Sequence, residues 1–148
     1  MKKYWSLMRW LALVVALSAA LATARNVTPA YAAGVVGSGT PGSCTEAALN
    51  AALVGGGTVS FNCGPNPVTI LLSATKTIAA NTTIDGGGLV TLDGQTHIRL
   101  FLVNAGATLT LNNIELVNGY NATGDGGAVR SDGALVVNNS RFANNSTV

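Results

Sequence analysis

The segment Leu109-Thr110-Leu111-Asn112-Asn113-Ile114-Glu115-Leu116-Val117-Asn118 returns 26 residues later as Leu135-Val136-Val137-Asn138-Asn139-Ser140-Arg141-Phe142-Ala143-Asn144. The offset lays Leu109 on Leu135, Leu111 on Val137, Asn112 on Asn138, Asn113 on Asn139 and Leu116 on Phe142. Going back by 27, Thr82-Thr83-Ile84-Asp85-Gly86 takes the place of Leu109 to Asn113, with Leu89 in that of Leu116. A period of this size, with short strands and no helical pattern inside it, indicates a solenoid of strands. Within a strand, Leu109 and Leu111 point inward while Thr108 and Thr110 point out. The chain must bend at the Asn pairs, and Asn tolerates left-handed backbone angles better than most residues. Stacked coils bring Asn112 to Asn138, where amides can hydrogen-bond along the stack as in a fibril ladder. The expected fold is all-β, a right-handed parallel β-helix. Residues 58–148, about 91 at 26 per turn, make three to four coils.

Composition agrees with that reading. Among 148 residues, 9% are charged and 5% aromatic, too few for an ordinary helical domain, while 18 Gly punctuate the chain with turns. The net charge of +2 is misleading, because Lys2, Lys3, Arg9 and Arg25 all precede residue 33. Beyond it stand four basic residues and six acidic ones. No basic nucleic-acid surface remains.

The first 32 residues read as a secretory signal. Lys2, Lys3 and Arg9 precede an uncharged apolar stretch, Trp10 to Ala24, and Ala30-Tyr31-Ala32 supplies the small-x-small pattern before a cleavage between Ala32 and Ala33. An uncleaved anchor is the alternative, but that stretch falls short of the roughly 20 apolar residues of a spanning helix. No transmembrane segment is expected in the mature chain.

Export gives Cys44 and Cys63 a meaning. They are the only cysteines, and an oxidising compartment favours a bond between them over two buried thiols. With one distant His they cannot make a zinc site. Residues 33–42 read as a flexible lead-in and 43–57 as a capping helix. Ser43 and Glu46 form an S-x-x-E box before Ala47, Ala48 and Leu49, and Gly55-Gly56-Gly57 ends the run. The helix covers the first open coil, tethered by the Cys pair.

Gly126-Gly127-Ala128-Val129 and Phe142-Ala143-Asn144-Asn145 resemble the GGA[ILV] and FxxN tetrapeptides of the polymorphic outer membrane protein family. The Cys pair, Thr82 to Gly88 and the Asn-rich coils are similar to secreted bacterial right-handed β-helix proteins of the pectin-lyase-like type. The likeness covers about Gly39 to Val148, though Leu116-Val117-Asn118-Gly119 stands where the preceding coil would carry FxxN. It implies a first portion or a short relative of longer proteins, at the cell surface or associated with an outer membrane.

The chemistry-bearing residues point to turns rather than to a reaction. Gly37 to Gly42 matches G-x-G-x-x-G but lacks the βαβ unit and the following acidic residue of a dinucleotide site. Asp85, Asp93, Asp125 and Asp132 are the acidic candidates for calcium or for acid–base work on a polysaccharide. Each adjoins Gly, where Asp ordinarily serves a turn, and no G-G-x-G-x-D nonapeptide follows Gly86. His97 stands without a nucleophile beside it, and Arg99 and Arg130 read as solvated outward side chains. Phe61, Phe101 and Phe142 fall at inward positions, not in a row of sugar-stacking faces.

No catalytic, cofactor or metal site is therefore expected. The first expectation is a secreted or cell-surface, non-catalytic β-helix protein whose exposed face adheres to extracellular carbohydrate or a surface protein. The alternative is the N-terminal part of a polysaccharide lyase or glycoside hydrolase with its active coils elsewhere. A further expectation is self-association through the open C-terminal coil, whose edge carries unpaired main-chain groups.

Overall fold

The computed structural model describes residues 34–148. The expected signal segment 1–32 and its Ala32–Ala33 junction lie outside them. Within them the chain is a parallel β-solenoid. Its elements are β1 (Gly34–Val36), α1 (Glu46–Leu53), β2 (Gly57–Phe61), β3 (Val68–Leu71), β4 (Lys76–Ile78), β5 (Thr82–Asp93) and β6 (Phe101–Val103). They continue with β7 (Thr108–Val117), β8 (Tyr120–Asn121), β9 (Val129–Ser131), β10 (Ala134–Asn138), β11 (Arg141–Ala143) and β12 (Ser146–Thr147).

Every strand pair among the described residues is parallel. One sheet runs β1-β2-β5-β7-β10, with β3 on β5 and β11 on β7; a second runs β4-β6-β9, and β8 pairs β12. The rungs β2, β5, β7 and β10 are the expected coils. A fifth, β1, comes from residues 33–42, which read as a flexible lead-in. Gly34 to Val36 instead pairs in register with Val59 to Phe61, because a three-residue strand is too short to show a period.

The core is a set of columns. Val59, Ile84 and Leu111 stack in register, as do Ile70, Leu92 and Leu116, and Ile78 and Val103. All eight are buried. Asn113, Asn118, Asn139 and Asn144 carry positive φ of 46° to 56° at the bends, the left-handed turn duty that the Asn pairs suggested.

The third repeat match holds for one half only. Ile84 is in register with Leu111, but Leu92 rather than Leu89 faces Leu116, because the register jumps between Asp85 and Val90. Gly87 and Gly88, at φ 60° and 75°, loop out there, and Leu89 is left exposed.

The helix is shorter than the expected 43–57, and its cap differs. Thr45 is the N-cap, its Oγ1 accepting from the Ala48 N–H at 3.2 Å. Ser43 ends a 3-10 turn, Pro41–Ser43, and its hydroxyl accepts from the Ser38 N–H. The Ser43–Glu46 box does not form, because Thr45 takes the cap and the Glu46 carboxylate is engaged elsewhere. Gly55, Gly56 and Gly57, at φ 78° to 91°, end the helix.

Leu49 and Ala52 are buried beneath the helix. It lies so close to the first rung that a Cβ on Gly34 would sit 2.5 Å from that of Ala52. Cys44 and Cys63, both buried, are disulfide-bonded with Cα atoms 5.6 Å apart. The bond joins the segment before α1 to the end of β2. Thiol titration of the denatured, unreduced chain is expected to find no free thiol. Replacing both cysteines with Ser is expected to cost about 3 kcal/mol by urea unfolding, the entropy of a loop of this length; an unchanged midpoint would show that the tether contributes nothing.

Candidate functional site: the asparagine bend and its groove

The bend between the two halves of β5, β7 and the β10–β11 rung is the most polar feature of the wall. Asn113 Nδ2 donates to Asp85 Oδ1 at 3.0 Å, and Asn139 Nδ2 donates to Asn113 Oδ1 at 2.7 Å. One step along, Asn138 Nδ2 donates to Asn112 Oδ1 at 2.9 Å. These are the amide ladders expected from the 26-residue offset. The first continues into Asp85, which also accepts from the Gly87 N–H.

Beside this ladder an open groove of about 630 Å³ runs across three rungs. Pro67, Gly88 and Leu89 line it together with Thr91, Glu115 and Arg141. The latter three form one outward column in register. Thr91 Oγ1 donates to Glu115 Oε2, and Arg141 pairs with Glu115 Oε1. The groove is thus floored by amides and hydroxyls, with its one carboxylate matched by a guanidinium.

The two tetrapeptides meet on another part of the wall. Gly119 is pressed between neighbouring rungs: a Cβ there would lie 2.4 Å from the Gly127 carbonyl oxygen and 2.8 Å from Asn145 Oδ1. Asn145 Oδ1 accepts from the Gly119 N–H at 2.7 Å, and its Nδ2 donates to the Leu116 carbonyl at 3.0 Å. Asn145 thereby closes the turn of the coil below. Gly127 lies flat against Ser146, while Gly126 holds φ 68°. Ala128 is buried and Val129 stacks on Phe101 in register. Phe142 occupies the inward column over Leu116. In these surroundings the glycines permit close rung approach, and the Asn replaces a main-chain partner.

The acidic candidates are engaged in local structure. Asp93 Oδ1 accepts from the Gln95 N–H and from Asn118 Nδ2, Asp132 pairs with Arg130, and Asp125 offers its backbone carbonyl to Arg99. His97 lies in the turn after β5, Nδ1 against the Gln95 carbonyl. Gly37 to Gly42 leads into the 3-10 turn, where Gly37 packs so tightly that an added Cβ would lie 2.4 Å from Cys44 Sγ. The structure does not gather these residues into one cluster. Among the described residues, no group of three or more His, Cys, Asp or Glu is placed to hold a metal, and no helix is long and apolar enough to cross a membrane.

Comparison with protein-family models, curated proteins and solved structures returned no match.

Two residues behave differently from the sequence reading. Arg99 is half-buried rather than solvated, its guanidinium donating to the carbonyls of Gly126 and Asp125, so it anchors the loop after β8. Lys76 was not singled out. It occupies an inward column beside Phe101 and is 6% exposed, with its Nζ 2.5 Å from Glu46 Oε1. The signal was available: a lysine falls in register with apolar residues of later coils. The same Glu46 oxygen accepts from the Ser73 and Ala74 N–H groups, and Oε2 from the Ser73 hydroxyl. Burial acts to raise the Glu46 pKa, but the Lys76 and Ser73 hydrogen bonds outweigh it and hold the carboxyl at about 2.

Proposed function

We propose that this chain is an exported, non-catalytic β-helix protein of the cell surface, whose groove beside the Asn ladder binds extracellular carbohydrate or a surface protein. The observation carrying this reading is that Asp85, Asp93, Glu115 and Asp132 each accept from a turn N–H or from a side chain of their own wall. A carboxylate committed to the scaffold is a poor proton shuttle, because moving its proton breaks a structural contact. Amides and hydroxyls in register across a groove suit neutral hydrogen-bonding partners instead.

The relation to pectin-lyase-like proteins and to polymorphic outer membrane protein repeats belongs to the same proposal. It is supported by the parallel coils and by the shared site of the two tetrapeptides at Gly119. Export is supported by the pattern around Ala30-Tyr31-Ala32 and by the disulfide.

Two measurements test the reading together. N-terminal sequencing of chain recovered from the medium or cell surface is expected to start at Ala33; a recovered form beginning at Met1 would contradict export. Incubation with acidic and neutral polysaccharides is expected to release no reducing ends and no unsaturated uronates. Turnover that disappears in Asp85→Asn or Glu115→Gln would move the protein to the hydrolase or lyase reading.

A further inference from the structure

On the side of β10 and β11 turned away from β7, the interior columns of the solenoid come to the surface. Leu135 and Val137 are in register with Leu109 and Leu111, and Phe142 with Leu116. The β7 residues are fully buried, whereas Leu135, Val137 and Phe142 are 39%, 42% and 40% exposed. Their inward direction is the same; only cover from one side differs. Asn138 and Asn139 donate their amides into the ladders, and among the described residues nothing donates to their own Oδ1 atoms. The strand order places β10 at an edge, with β7 on one side only. Such an edge is a template for another strand.

The other end of the stack offers no such template. There α1 lies against the first rung, Leu49 and Ala52 fill the end of the core, and the Cys44–Cys63 bond holds the cover in place. Head-to-tail stacking of copies, which would build an open filament, is blocked by that cap. The exposed face is complementary to a second copy of itself. Its charges do not oppose this, since Arg141 is paired with Glu115 and Arg130 with Asp132.

We propose that the β10–β11 face is a homodimer interface. Two copies meet end to end about a two-fold axis, each placing Leu135, Val137 and Phe142 over the same row of its partner. Turning one copy over to face the other reverses the sense of its coils, so β10 pairs antiparallel with β10. The contact is isologous and closes at two. It differs from the lateral groove: the groove lies on the outer wall, and this face is the end of the stack.

Sedimentation equilibrium of the exported chain over a wide concentration range tests the proposal. A monomer–dimer equilibrium without larger species is expected. Val137→Lys puts a cation into the buried row and is expected to weaken the dimer by about 100-fold or more. Val136→Lys sits on the same strand but in the outward column of Thr110, and is expected to leave dimerisation within about threefold. Equal loss in both variants would overturn the face-specific interface. A monomer at every concentration would also overturn it, leaving the face to another occupant such as a further coil, and an open-ended polymer would refute closure by the cap. The unmodified chain alone separates these three states, so the decision stands even if a variant fails to fold.

Discussion

Phe101→Ala is expected to lower the unfolding free energy by about 3–5 kcal/mol, the usual cost of deleting a buried aromatic ring. Phe101 is fully buried and stands in the second sheet between Lys76 and Val129, in register with both. Its column cannot collapse around the cavity, because rung spacing is fixed by main-chain hydrogen bonds on either side. A domain of this size has only about 5–15 kcal/mol in total, so the variant sits close to unfolding at ordinary temperature. Phe101→Leu keeps most of the volume and is expected to cost about 1–2 kcal/mol. Urea midpoints of both variants check the pair. A loss below about 1 kcal/mol for the alanine would falsify the packed column.

The second large effect belongs to the ion pair between cap and coil. Glu46→Ala leaves the Lys76 ammonium buried without its partner, and is expected to cost about 3 kcal/mol at neutral pH. Replacing both members, Glu46→Gln with Lys76→Met, removes the stranded charge and is expected to cost markedly less than the single change. The pH dependence has a definite sign. The folded carboxyl titrates at about 2, against 4.5 for its ordinary value. Its contribution is therefore complete above pH 4.5 and disappears as the pH falls toward 2. Since the side chain is 21% exposed, the full linkage is discounted for screening, to roughly 2–3 kcal/mol. The gap between native and Glu46→Ala urea midpoints should narrow from pH 7 to pH 3. A gap that stays constant would show that this carboxylate does not hold the cap through its charge.

The repeat was legible where each coil states itself in side chains. Leu109, Leu111 and Leu116 recur as Leu135, Val137 and Phe142 at one offset, and the Asn pairs recur with them, so both core column and amide ladder followed from the spacing. The reading failed where local pattern and long-range pairing competed. Ser43 and Thr45 are both good N-cap residues, and only the position of Ser73 and Lys76 in space explains why the Glu46 carboxylate leaves its own helix. Leu89 matched the apolar position by counting. Gly87 and Gly88 can loop out without strain, and so hand the place to Leu92. The first rung was hidden for a different reason: Gly34 to Val36 joins the sheet through main-chain bonds that any residue could make. For the groove, the Glu115–Arg141 pairing was implied by the same offset, which places Arg141 over Glu115. Its far wall at Pro67 and Gly88 came from loops with no period to read.

The looped-out segment between Asp85 and Val90 has a bearing on how such a chain can change over evolutionary time. Register is kept on both sides of it, Asp85 with Asn112 and Val90 with Ile114, although β5 spends three more residues there than β7. Coil length and core identity are therefore uncoupled at this corner. Insertions can accumulate beside the groove, altering the shape and chemistry of its wall, while the selection that preserves the buried columns never meets them.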